Sequence, residues 1–323
     1  MNDYFKLMLG LIFSFLLCFL LCKFHLKFLN LKPKDQDEVI QINPNHKFKS
    51  CGGIDFIIST LAVFILLNIN NLYNKSFICL LFTFIYFGLI GLLDDFIKII
   101  FKDNKGLSMF IRIILEIIGV FIICNLTSIN LMKFIKIHNS YMYIGPFALI
   151  YCLLCIVGCC NAVNLTDGLD GLVTITYILA CSPFVYTSLI QANYIVASFL
   201  IALIGSLLAY LIFNFNPSKL IMGDVGSLSL GSTLAISAIL LNREILLLIS
   251  GAIYIIEALS VILQVSYFKL TKGKRIFKMT PIHYHFIKSG MKESNVVLMF
   301  TVFAIIFSIS GDKVITYNSP VSA

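Results

Sequence analysis

Apolar runs of membrane-crossing length recur from one end of this sequence to the other, at residues 7–22, 77–93, 195–213 and 245–263 among others. Each approaches the roughly 20 residues that a helix needs to traverse the hydrocarbon core of a bilayer, so the chain reads as polytopic. Composition agrees, because 59% of the 323 residues are hydrophobic and only 12% are charged, where about a quarter of a soluble domain is charged. The expected fold class is all-α, a single integral membrane domain over residues 1–323 with about ten transmembrane helices. The expected spans are 4–28, 53–73, 76–98, 108–125, 144–163, 170–188, 193–214, 227–242, 245–268 and 295–311. The first run is long, lacks a small-residue cleavage site and is followed by many others, so it counts as a helix rather than a signal peptide. The ten cysteines read as small apolar residues. Cys152, Cys155 and Cys159 share a helical face, but thiolates inside lipid are poor metal ligands.

Charge sets the expected orientation. With the N-terminus outside, all but six of the 24 Lys and Arg fall on the inner side, the exceptions being Lys6, Lys75, Lys133, Lys136, Arg243 and Lys313. That bias is the positive-inside signal, and it predicts both termini outside and the long basic loops in the cytoplasm. The formal charge of +8 is thus concentrated on one face. Such a face suits acidic membrane lipid or a phosphorylated soluble substrate, and no nucleic-acid partner is expected.

The acidic residues carry the chemistry, because a carboxylate beside a membrane is costly and is tolerated mainly where it works. Of the sixteen acids, Asp94, Asp95, Asp167, Asp170 and Asp224 all fall at helix ends or loops on the expected inner side. In GLLDDF (91–96) two adjacent carboxylates end an apolar helix. The pair suits a hard cation, or one member for metal and one for a proton; a solvated helix end paired with Lys98 is the plainer reading. In NAVNLTDGLDGL (161–172), Asn161 and Asn164, then Asp167 and Asp170, recur at three-residue spacing, which on a helix puts each pair on one face. Capping accounts for Thr166 or Asp167 but hardly for four polar groups. Asp224 lies in a Gly-Asp-x-Gly-Ser turn just before the expected eighth helix, where backbone N–H groups meet phosphate or Asp224 serves as an N-cap. His283 and His285 follow a basic loop, and an extended segment would send both to one side to donate to phosphate oxygens. Zinc is the rival for the histidines, yet the remaining ligands are hard oxygens that suit magnesium or manganese.

In order along the chain, GLLDDF, NAVNLTDGLDGL, FNFNPSKLIMGDVGSLSLG (213–231), EALSVILQVSYFKL (257–270) and KRIFKMTPIHYHF (274–286) resemble the polyprenyl-phosphate N-acetylhexosamine-1-phosphate transferases. Within that superfamily they look most like the phospho-N-acetylmuramoyl-pentapeptide-transferase (MraY) family, over residues 46–311 or so. The resemblance implies a homodimer in the bacterial plasma membrane that uses magnesium at a cytoplasmic active site. The implied reaction moves phospho-MurNAc-pentapeptide from its UDP carrier to undecaprenyl phosphate, giving lipid I and UMP. Carried over by motif, Asp94 and Asp95 match the paired aspartates, the first as a base for the lipid phosphate. Asp224 matches the magnesium-binding aspartate, with Asp95 as a further ligand. Asn164, Asp167, Asp170, Asn214, Gln264 and Lys105 match positions implicated in substrate binding, and His283 and His285 match the outer members of a histidine triplet. The chain departs from the pattern at Lys49-Ser50-Cys51-Gly52-Gly53, at Ile221, at Tyr284 in the middle of the triplet and at Ile287.

The mechanism expected is attack by a lipid phosphate oxygen on the sugar-proximal phosphorus, with a two-step route through an aspartyl intermediate as the alternative. Three rivals remain at this point. A transferase using UDP-GlcNAc would differ in its donor, an ion-coupled transporter would hold its carboxylates at mid-membrane, and an inactive binding paralogue would turn nothing over.

Overall fold

A computed structural model describes residues 3–28, 51–101, 106–127, 134–137 and 140–317. Twelve α-helices are found among them: α1 (Asp3–Phe28), α2 (Gly53–Leu67), α3 (Lys75–Phe101), α4 (Met109–Thr127), α5 (Ala148–Thr166), α6 (Leu172–Ile190), α7 (Tyr194–Asn214), α8 (Gly223–Leu240), α9 (Glu244–Ser250), α10 (Ala252–Leu270), α11 (Ile282–Lys288) and α12 (Glu293–Tyr317). Nine are long and apolar enough to span a bilayer, and α2 is a shorter apolar helix. The architecture is that of an all-α polytopic membrane protein. One short antiparallel hairpin, β1 (Phe134–Ile137) and β2 (Ser140–Tyr143), joins α4 to α5, with Phe134 opposite Tyr143.

Each expected span corresponds to helix, with corrections at the edges: the fifth begins as helix only at Ala148, after a 3-10 turn, and the tenth runs on to Tyr317. The second stops at Leu67 and continues only as a 3-10 turn at Ile69–Asn71. The ninth is broken at Gly251 into α9 and α10. The eighth begins four residues early, so Asp224 lies inside the first turn of α8 rather than ahead of it.

α8 is the axis of the bundle. Val225 through Ile239 are buried without interruption. Its small side chains make that possible: in a membrane there is little hydrophobic force between helices, and close backbone approach is what packing depends on. A Cβ built on Gly231 would sit 2.6 Å from the Cys159 carbonyl on α5, and one built on Gly91 of α3 would run into the Asp224 carbonyl. The hydroxyls that come with small residues are satisfied locally, Ser229 donating to the Gly226 carbonyl at 2.7 Å and Ser237 to that of Thr233 at 2.7 Å. Helices rich in large aliphatic and aromatic groups lie outside, as the exposed Phe110, Ile114 and Phe121 of α4 and Ile256, Leu259 and Leu263 of α10 show.

This packing gathers one end of six elements. The C-terminal parts of α3, α5 and α7 and the N-terminal turns of α2, α4 and α8 meet on a single face. The α2 amides of Gly52 and Gly53 donate to the Ile221 and Met222 carbonyls at 2.8 and 3.0 Å, which fixes the loop leading into α8.

Candidate active site

The paired aspartates lie near the end of α3, one helical step apart, and are both buried, Asp94 at 2% exposure and Asp95 at 5%. Adjacent residues on a helix diverge by about 100°, so they do different work. Asp95 turns to α8, where its carboxylate accepts from the Asp224 amide at 3.2 Å and the Val225 amide at 3.1 Å. It thereby caps a helix belonging to another part of the chain and satisfies amides that would otherwise be orphaned. The Cys51 thiol donates weakly to the same carboxylate at 3.9 Å, so this departure from the family pattern borders the site. Asp94 instead accepts from the Leu107 amide at 2.6 Å, anchoring the segment that leads into α4.

Asp224 completes the cluster. One ligand atom from each of Asp94, Asp95 and Asp224 lies within 4.8 Å of the others. Three hard carboxylate oxygens gathered this closely are a donor set able to hold a divalent metal ion. The Lys98 ammonium sits among them, 2.5 Å from Asp94, 2.9 Å from Asp224 and 4.0 Å from Asp95. Asn164 of α5 donates to Asp224 at 2.8 Å and to the Ser227 hydroxyl at 2.9 Å.

Behind Asp224 stands a second ionic layer. Arg112 on α4 reaches Asp224 at 3.8 Å and Glu116 at 3.8 Å, and donates to the Asn161 amide oxygen at 3.1 Å. Asn161 in turn donates to Glu116 at 2.7 Å. Arg112 and Glu116 are i,i+4 partners, and their isolation in an apolar span is a sequence signal that charge placement alone passes over.

The Asp167–Gly171 turn ends α5 and starts α6. Burial and the neighbouring carboxylates of Asp224, Asp95 and Asp170 push the Asp167 carboxyl up to about 8. Asp170 accepts from the Ser218 amide at 2.9 Å, and its own amide donates to Glu293 at 2.9 Å. Glu293, the first residue of α12, also accepts from the Asn216 side chain at 2.9 Å. It clamps two motif loops together, and the sequence reading did not single it out.

Three of the expected site residues make contacts within the protein. Asn214 spends both ends of its amide inside the protein, accepting from Thr174 at 2.7 Å and donating to the Leu220 carbonyl at 3.0 Å, so it shapes the loop before Asp224. Gln264 accepts from the amides of Ile276 and Phe277, both at 3.0 Å, and donates to the Phe277 carbonyl at 3.2 Å, so it holds the basic loop against α10. His283 is fully buried, 3.2 Å from the equally buried Glu257 of α10, and abuts Gly168. The expectation of an extended segment is overturned here: residues 282–288 form α11, which turns His283 and His285 about 200° apart. His285 stays partly exposed and accepts through Nδ1 from the Lys278 amide at 3.1 Å, which leaves a neutral ring with its proton on Nε2. Tyr284, at the altered middle position, donates to the Gly168 carbonyl at 3.1 Å. Lys105, Lys49 and Ser50 lie outside the described residues.

Comparison with known proteins places the chain among related sequences. Residues 77–242 match the model of glycosyl transferase family 4. The phospho-N-acetylmuramoyl-pentapeptide-transferase of Rickettsia montanensis is 37% identical over 94% of this chain and 91% of its own length. Its counterpart in Lactococcus lactis subsp. cremoris is 38% identical over 88% of this chain and 89% of its own. That of Rickettsia bellii is 39% identical over 80% and 77%.

Proposed function

This chain belongs to the phospho-N-acetylmuramoyl-pentapeptide-transferases of glycosyl transferase family 4, and on that premise we propose how its site performs the transfer. It moves phospho-MurNAc-pentapeptide from a UDP carrier to undecaprenyl phosphate, giving lipid I and UMP for peptidoglycan synthesis. The reaction takes place at the cytoplasmic surface of the bacterial plasma membrane, in a homodimer. A UDP-sugar is barred from lipid and a polyprenyl phosphate is confined to it, so the two meet only at the boundary. The bias of Lys and Arg toward the face that carries the motif loops supports that orientation.

The observation that carries the reading is the convergence of Asp94, Asp95 and Asp224, from two motifs far apart in sequence, within 4.8 Å. Asp224 and Asp95, together with Asp94, would hold magnesium, Asp95 also fixing the first turn of α8. A bound magnesium ion supplies charge neutralisation to the diphosphate. Lys98, among the acids, and Arg112, beside Asp224, add positive charge to the cluster, which favours anionic substrates and the charge developing on phosphoryl oxygens. Asp94 is the group to receive the proton of the lipid phosphate. His285 donates through Nε2 to a phosphate oxygen, whereas His283 acts by bracing the Asp167–Gly168 turn. The attack is a single in-line displacement, in which positioning does most of the catalytic work.

UMP release by the purified protein, supplied in turn with UDP-MurNAc-pentapeptide and UDP-GlcNAc in the presence of undecaprenyl phosphate, tests this function. Release from the first donor alone is the expected result. Exclusive use of UDP-GlcNAc would move the protein to another branch of the superfamily.

A further inference from the structure

Lys98 occupies an unusual position for a basic residue beside a proposed metal. Its ammonium is not at the rim of the acid cluster but between its members, 2.5 Å from Asp94 and 2.9 Å from Asp224, two of the three carboxylates that the function above assigns to magnesium. An ion about 2.1 Å from those oxygens would stand where the ammonium nitrogen now stands or directly against it. Two cations at that separation repel strongly in a partly buried site, so they exclude each other. The side chain is able to leave. Lys98 is anchored by its backbone near the end of α3, is one-third exposed, and carries a flexible stem whose head can swing outward into water.

The cluster also needs a cation when no metal is bound. Three carboxylates lie within 4.8 Å of one another, and Asp94 and Asp95 are almost fully buried. Among the described residues the other cation beside the cluster is Arg112, which reaches Asp224 from 3.8 Å and is shared with Glu116. Without Lys98 the carboxylates would repel, and with them would go the ties they make to the Leu107 amide and to the first turn of α8.

We propose that Lys98 is a built-in counter-cation: it holds the acid cluster together in the metal-free protein and is displaced when a divalent ion binds. Metal affinity is then the difference between two occupants of one position, and Lys98 sets it. The displaced ammonium stays on its tether beside the cluster, where an anionic diphosphate would next meet it. This inference rests on the metal reading of the preceding subsection, which is tested separately below.

Mn2+ serves as the probe, its free concentration followed by electron paramagnetic resonance with full-length protein in detergent micelles. Lys98→Met, which keeps the stem and removes the charge, should bind Mn2+ on the order of tenfold more tightly than wild type. The metal-free variant should melt at lower temperature, and saturating Mn2+ should recover a larger share of its stability. Lys98→Arg should keep the metal-free stability and the weaker binding of wild type. Equal or weaker Mn2+ binding by Lys98→Met, with wild-type binding abolished in Asp224→Asn, would overturn the counter-cation while leaving the metal site standing. Wild-type binding that survives in Asp224→Asn would remove the metal reading and this inference with it.

Discussion

At the scale of single residues, the site shows carboxylates of one kind doing unlike work. Asp95 is a cap, Asp94 anchors the chain at Leu107, Asp224 gathers Lys98, Arg112 and Asn164, and Asp167 stands among neighbours of its own charge. Asp167 gives a prediction with a definite sign. Its folded value near 8 lies above the ordinary carboxyl value of 3.8, so the folded protein favours the protonated form. That contribution is complete at acid pH and is lost as pH rises toward 8. Melting temperatures of the metal-free protein should therefore fall between pH 5 and 8 by more in wild type than in Asp167→Asn, which stays neutral throughout; parallel curves would contradict the assignment. The acids themselves were legible in the sequence because charge is rare in this chain and the positive-inside pattern puts them on one side. Their division of labour was not, because it depends on which way each carboxylate turns. Asn214 and Gln264 illustrate this, since a motif places a residue near a site without saying whether its amide meets a ligand or a neighbouring backbone.

At the scale of elements, the site is assembled by loops tied across the ends of helices. Glu293 is the clearest tie, since one carboxylate joins the Asp170 turn to Asn216. Glu293→Ala should misplace both loops and lower turnover by roughly tenfold to a hundredfold, with KM for the sugar nucleotide rising as well. Glu293→Gln, which keeps one acceptor, should recover part of the loss in the same kinetic assay. Helix contacts impose an equal constraint. Gly91 lets α3 lie against the first turn of α8, and Gly91→Ala should cost about 1–3 kcal/mol of stability and spoil the spacing of the acids, visible as a lower melting temperature together with lost activity. Spans were readable from run length because hydrocarbon thickness dictates helix length. Their edges were not: the break at Gly251 interrupts a continuously apolar run, and the helix over Ile282–Lys288 is too short to leave a periodic signature. Glu257 was legible in principle as a lone carboxylate in an apolar span, and its partner His283 is what makes its burial intelligible.

At the scale of the whole molecule, a bundle built around the small-residue helix α8 brings six element ends to one face and puts the acids, the basic loop before α11 and the histidine helix there together. Midplane carboxylates, the mark of a transporter, are not what the acid cluster presents, since its members sit at the ends of α3, α5 and α8. With that face in the cytoplasm, a cysteine introduced beside Tyr4 should react in intact cells with a membrane-impermeant thiol reagent, and one in the basic loop near Lys274 only after the cells are permeabilised, in a background where the partly exposed Cys155 and Cys159 are replaced. The claim on which the rest depends is that acids from separate motifs cooperate around one divalent ion to drive transfer. Magnesium titration of UMP release, with UDP-MurNAc-pentapeptide and undecaprenyl phosphate as substrates, tests it most directly. Wild type should require the ion, and Asp224→Ala should be slower by orders of magnitude at any magnesium concentration. Turnover by wild type that ignores magnesium, or equal turnover by the two proteins, would contradict the account.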